Sequence, residues 1–144
     1  MTIDRLTRKD VVTATGDVSA ADLARTMKER DVGSVVVVSD DRPIGVVTDR
    51  DLVLYVMATD RDPEEATARD LMSEDLFSVE AGDGVFAVMS RMADAGVRRV
   101  PVTEAGELVG VVALDDLVVL LANELGNLAA VIEAEMPPVT EVEP

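Results

Sequence analysis

The stretch IGVVTDRDLV occupies Ile44–Val53, and VGVVALDDLV occupies Val109–Val118, 65 positions later. The two phrases share Gly, a Val-Val pair, an Asp and Leu-Val, and they part where Thr48 becomes Ala113. Sliding the whole chain by the same 65 positions lays Met27 on Met92, Val32 on Val97, Val35 on Val100, Val37 on Val102, Gly45 on Gly110, Asp51 on Asp116 and Leu52 on Leu117 without a gap. A self-match of that kind marks an internal duplication, so one structural unit is written twice.

Each copy reads as β-α-β-β-α. A short extended piece (Val11–Thr13; Leu76–Val79) precedes a helix of about three turns (Ala20–Arg30; Val85–Ala95). Two strands follow (Ser34–Ser39 and Ile44–Val47; Arg99–Thr103 and Leu108–Val112), then a second helix (Asp49–Ala58; Leu114–Leu125). Ser19 and Asp83 or Gly84 stand where helix N-caps belong, and Gly96 stands where a helix end favours a left-handed residue. Asp40-Asp41-Arg42-Pro43 and Glu104-Ala105-Gly106-Glu107 are turns between strands. The unbroken Val35–Val38 run predicts a sheet covered on both faces. Between the copies, Ala58–Asp70 reads as a charged, solvated linker with Pro63 at a helix start. Beyond Gly126 the expectation is one more short helix ending before Pro137-Pro138, then an acidic tail.

The chain has 144 residues, room for one domain or two small ones with a sizeable core. It contains no His and no Cys, which removes disulfides, imidazole acid–base chemistry and the Ser-His-Asp and Cys-His nucleophile systems, and leaves no ordinary zinc ligand set. No Gly-Lys-Ser/Thr P-loop occurs. The net charge of −16 argues against a nucleic-acid or anionic-membrane surface, because binding phosphate needs Lys and Arg. The amino terminus has no apolar signal core, and the apolar runs, such as Leu117–Ala122, are far shorter than a membrane helix. These features set the expectation of a soluble, cytoplasmic protein. Only Lys9 and Lys28 are lysines and Asp outnumbers Glu, a balance like that of proteins from salt-accumulating microbes; a halophilic protein should gain stability as salt screens its self-repulsion.

Three motifs carry alternatives. Thr48-x-x-Asp51 is a capping box, so Asp51 could serve only to start a helix; Ala113 cannot cap, yet Asp116 persists, and a first-turn acid still favours the helix dipole. Gly82-Asp83-Gly84-Val85-Phe86-Ala87 fits a relaxed dinucleotide fingerprint, but the matching segment Asp17–Asp22 has no glycine, and a helix-start turn explains both. The pairs Asp40-Asp41, Asp49/Asp51 and Asp115-Asp116 could be read as Mg²⁺ ligands of a phosphotransfer enzyme, although adjacent acids in turns are ordinarily solvated.

The β-α-β-β-α unit, the Gly-Val-Val-Thr-x-x-Asp phrase, Arg69–Met72 leading into a copy, and Gly96–Val102 (GVRRVPV) together resemble a tandem pair of CBS domains, named after cystathionine β-synthase. Ala113 departs from the Thr or Ser usual at its place. The resemblance implies an α/β (α+β) module of two repeats related by a pseudo-two-fold axis, with repeat 1 at 7–62, repeat 2 at 63–126 and a C-terminal extension at 127–144. It implies a non-catalytic, regulatory, ligand-sensing protein that binds AMP, ADP, ATP or an S-adenosylmethionine-type compound in clefts between the repeats. It also implies a homodimer and an unknown regulated protein as partners. By the same pattern Asp51 and Asp116 are the ribose partners of the two clefts, Thr48 contacts ribose or phosphate, and Arg50 and Arg98 or Arg99 are phosphate cations, with Arg98 and Arg99 expected at the second cleft. Thr13 and Ala14, with Ser78 and Val79, border the base. The alternative is an assembly protein whose clefts are vestigial, a reading that Ala113 favours.

Overall fold

The computed structural model describes residues 1–73 and 77–137. Two three-stranded sheets form, β1 (Thr13–Thr15), β2 (Ser34–Ser39) and β3 (Arg42–Thr48) in one, β4 (Val79–Glu80), β5 (Arg99–Glu104) and β6 (Glu107–Ala113) in the other. In each sheet the first pair is parallel and the second antiparallel. The helices α1 (Ala20–Arg30) and α4 (Val85–Ala95) cross from the first strand to the second of their copies. Both begin and end where the sequence places them. Ser19 Oγ accepts the Asp22 N–H, and Gly96 closes α4 at φ 66°, with Asp31 in the same left-handed state at the end of α1.

The hairpins β2–β3 and β5–β6 close through two-residue turns in which both central residues have positive φ, Asp40-Asp41 and Ala105-Gly106. Such turns match the twist of the flanking strands. Val35, Val36 and Val37 are all buried, as a strand covered on both faces requires. Each copy has its own apolar core: Leu23, Met27, Val35, Val37 and Val47 in the first, and Val88, Met92, Val100, Val102, Val112 and Leu117 in the second.

The segments that lead into each copy are exchanged. Ile3–Leu6 forms a 3-10 turn, and its counterpart 65 residues on is α3 (Ala68–Leu71). Ile3 is fully buried in the second core, while Ala66, Ala68 and Leu71 are buried in the first. The backbone bonds repeat the exchange: Ile3 N–H donates to the Asp83 carbonyl and Ala68 N–H to the Val18 carbonyl; Arg8 N–H donates to Val111 and Ser73 N–H to Val46. The unit of repetition therefore begins near Thr2, ahead of Thr7. The two halves are tied together reciprocally, and β3 lies against β6 between them.

Four expectations are corrected. The first extended piece sits two residues later, at Thr13–Thr15, set by its parallel register with Val36–Val38; its counterpart is Val79–Glu80, and residue 76 lies outside the described residues. Ala58–Asp70 is not simply a solvated linker, since Ala66 and Ala68 are core residues, and Pro63 opens a turn whose carbonyl accepts the Ala21 N–H rather than a helix. The helix after the first phrase runs as α2 (Asp49–Leu52) and then widens to a π-helix over Val53–Met57. The helix after the second phrase, α5, continues from Leu114 to Glu135 straight through Gly126, in place of two helices. A glycine in a helix interior costs only about 1 kcal/mol, which the surrounding Leu, Ala and Glu residues outweigh. The expected acidic tail at 138–144 lies outside the described residues.

Candidate functional site

Two clefts flank the junction of the sheets, and each contains the start of one repeated helix. Thr48 ends β3 and caps α2: its Oγ1 accepts the Asp51 N–H at 3.2 Å, and Asp51 Oδ2 accepts the Thr48 N–H at 2.8 Å. The capping box is therefore formed. It fixes the carboxylate at the mouth of a cleft of about 370 Å³ lined by Ser34, Thr48, Asp51, Ser73, Arg98 and Arg99, with an apolar wall that includes Phe77, Val97 and Pro101. One acidic residue, two arginines, three hydroxyl-bearing residues and a partly aromatic wall line it. Small-molecule sites have this character, an apolar surface with a few fixed polar groups. The Arg91 guanidinium sits 5.0 Å over the Phe77 ring and orients that wall.

Arg98 and Arg99 were expected at the cleft of Asp116; Arg98 Nη2 stands 3.9 Å from Asp115 Oδ1 at the start of α5, and both arginines also line the first cleft. Both precede or begin β5 and line the cleft of Thr48 and Asp51; Arg99 also reaches the other cleft. The reason is topological, because the strand of one copy faces the helix start of the other across the β3–β6 contact. Arg50 is exposed on α2 and is not part of this lining. Thr13 is exposed and Ala14 half-buried in β1, also outside the lining. Val79 is 1% exposed and packs in the second core, and the neighbouring Ser78 carbonyl accepts from Arg91 at 3.2 Å.

The second cleft, about 310 Å³, is lined by Arg8, Asp10, Asp31, Arg99, Ala113 and Asp115 among others. It is acidic where the first is basic. Asp116 does not itself line it, being held by a lining residue that sequence reasoning missed. Arg8 Nε donates to Asp116 Oδ2 at 3.0 Å and Arg8 Nη2 to Oδ1 at 2.8 Å, a bidentate ion pair. The hydrogen bond from Arg8 holds the Asp116 carboxyl below the usual carboxylate range against a smaller opposing effect of burial. The Ala113 N–H supports the same carboxylate, and Ala113, having no hydroxyl, makes no side-chain cap. The signal was available in the 65-residue frame, which sets Arg8 on Ser73, but only the exchange of lead-in segments places either residue at a cleft.

Among the described residues no group of three carboxylates converges as a metal site.

Comparison with known proteins gives the same architecture. Residues 3–58 and 68–123 each match the family model of the CBS domain. An uncharacterized protein of Methanopyrus kandleri is 36% identical over 138 residues, covering 94% of this chain and 68% of its own length. Hypoxic response protein 1 of Mycobacterium tuberculosis is 37% identical over 95 residues, covering 65% of this chain and 66% of its own. The crystal structure of that hypoxic response protein, with two coordinated zinc ions, superposes with a TM-score of 0.75 at 31% identity, covering 82% of this chain and 97% of its own. A CBS domain pair crystallised with 5′-methylthioadenosine and S-adenosyl-L-methionine has the same fold, with a TM-score of 0.75 at 18% identity, covering 86% of this chain and 98% of its own.

Proposed function

The chain belongs to the CBS-domain family, and we propose that it is a regulatory module that binds an adenosine nucleotide in the cleft of Thr48 and Asp51. The supporting observation is the meeting of Asp51, Arg98 and Arg99 from opposite copies in one cleft. A fixed carboxylate accepts the two ribose hydroxyls, the guanidinium forks take phosphate, and Phe77 and Val97 provide an apolar face for the base. A ligand spanning these groups bridges both copies, so it favours the relative arrangement of the two lobes in which all contacts are made. That arrangement is what a regulated partner would read. The domain pair in complex with 5′-methylthioadenosine and S-adenosyl-L-methionine lends this chain only its fold, so the ligand reading stands on the cleft itself.

The finished capping box favours a second reading, in which Asp51 is occupied with starting α2 and the protein is an assembly module. A thermal-shift panel of AMP, ADP, ATP and S-adenosylmethionine separates the two. A rise in melting temperature with a phosphorylated ligand, lost in Asp51→Asn, supports nucleotide binding; no response to any of the four supports assembly.

Assembly enters the first reading too, through α5. Leu114, Val118, Leu121, Leu125, Leu128 and Ile132 recur at alternating steps of four and three, and all are 38–66% exposed. A 3.5-residue apolar period is the seam of a helix that packs along another helix with the same period. The same helix is long and apolar enough to cross a membrane by length and composition. Glu124 sits in its middle, however, and a charged residue at a bilayer centre costs about 2.5–3.5 kcal/mol or more. The occupant proposed for the seam is the α5 of a second copy, giving a homodimer. Sedimentation should give a dimer at micromolar concentration and a monomer for Leu125→Glu; a monomeric parent protein, or one that partitions into lipid vesicles, overturns this assignment.

A further inference from the structure

The two clefts differ at one structurally equivalent position. Arg8 and Ser73 stand 65 residues apart, and their N–H groups donate to the equivalent carbonyls of Val111 and Val46. Each therefore lies beside the repeated Asp of one cleft. Among the described residues Ser73 makes no side-chain hydrogen bond to Asp51, whose Oδ2 accepts the backbone N–H of Thr48. At the other cleft Arg8 takes both oxygens of Asp116.

We infer that Arg8 is a built-in occupant of the second cleft, using the carboxylate that a ribose diol would need and so leaving the protein with one open cleft and one closed. The inference rests on the nucleotide reading of the first cleft and adds which cleft is open. A carboxylate offers about four lone-pair sites, and the best-directed pair on Asp116 is engaged by the guanidinium fork. Asp10, Asp31 and Asp115 line the same cleft and outnumber its two arginines, Arg8 and Arg99, so the lining disfavours a phosphate that would draw Arg8 away. Arg8 is anchored to stay: its backbone is bonded to Val111 in both directions, and the strap ahead of it ends in the fully buried Ile3. The Arg8 side chain is itself 67% exposed, so the closure is a competition that a substitution can relieve without disturbing the core.

Arg8→Ser gives the second cleft the residue of the first. Calorimetry with AMP reads the first cleft, and calorimetry with adenosine, which has no phosphate for Arg8 to attract, reads competition for Asp116. In the parent protein AMP should bind in one event that depends on Asp51. In Arg8→Ser, adenosine should bind the second cleft about fivefold more tightly, the scale on which an exposed ion pair competes. Adding Asp116→Asn to Arg8→Ser should abolish that gain. AMP binding at the first cleft with no change in adenosine binding in Arg8→Ser, or a weakening, overturns the inference and leaves the nucleotide reading standing. Failure of AMP and adenosine to bind either protein overturns the nucleotide reading and this inference with it.

Discussion

Asp51 shares its cleft with Ser73, Arg98 and Arg99, whereas Asp116 is clasped by Arg8 in a cleft lined with Asp10, Asp31 and Asp115. The backbones around the two carboxylates are near copies, down to the exchanged lead-in segments and the bonds that tie them. Duplication therefore supplies two equivalent scaffolds, and divergence at a few side chains assigns them different tasks. Thr48 against Ala113 changes how the helix starts; Ser73 against Arg8 changes whether the carboxylate is free. Neither change disturbs the core, so the electrostatics of the clefts can diverge while the fold stays fixed.

The sharpest way to break this comparison is to neutralise the two carboxylates in turn. Asp51→Asn keeps size and an acceptor for the Thr48 N–H but removes the charge. A hydrogen bond to a charged group contributes about 1.5–3 kcal/mol, so AMP affinity should fall roughly tenfold to a hundredfold. Asp116→Asn should leave that binding event unchanged. Equal losses in the two variants, measured by calorimetry, would mean that the clefts are not different in kind.

Exchanging the caps tests a smaller difference. Thr48→Ala converts the first helix start into the second and should destabilise the protein by about 0.5–2 kcal/mol, the usual cost of removing a Thr cap. Ala113→Thr should recover part of that amount in the other copy. Urea unfolding of both variants gives the comparison directly; a neutral Thr48→Ala would show that the dipole and Asp51 suffice to start α2.

Much of this symmetry was legible in the sequence, and the reasons for what was not are physical. Met27 on Met92 and Val35 on Val100 mark core positions, and core positions fix α1, α4 and the central strands because burial is periodic. The first short outer strand was misplaced by two residues, since Thr13–Thr15 owes its register to Val36–Val38 and not to its own pattern. Thr48 and Asp51 were readable because a capping box is local. Arg8 with Asp116 joins residues 108 positions apart, and Arg98 with Arg99 lines the cleft of the other copy's Asp51 as well; both depend on which lobe a segment packs against, and no local spacing records that.

The helices after the two phrases also diverge, one ending in a π-turn at Met57 and the other running to Glu135. Gly126 is the weak point of the longer one, and a Cβ there would meet nothing within 4 Å. Gly126→Ala should therefore stabilise the protein by up to about 1 kcal/mol, seen as a higher melting temperature. No gain would mean that α5 is already held along its length by a partner helix, and this would strengthen the case for the dimer.

The smallest effect concerns acid, and it isolates the Arg8–Asp116 pair. Asp116 has its carboxyl held below the ordinary value of 3.8, chiefly by the hydrogen bond from Arg8. A group whose folded pKa is lowered contributes stability that is fully present above its unfolded value and is lost as pH falls through the folded one. Asp4, Asp17 and Asp70 are lowered as well, by bonds from Thr2, Thr15 and Thr67, so acid weakens the protein for several reasons at once. Those three are untouched in Arg8→Ser and cancel in the difference between parent and variant. The stability difference should be small and constant from neutral pH down to about 4, then shrink toward zero at lower pH. Paired urea titrations at pH 7, 5 and 3 measure it. A difference that persists unchanged at pH 3 would mean that Arg8 acts through its backbone strap and not through the Asp116 carboxylate.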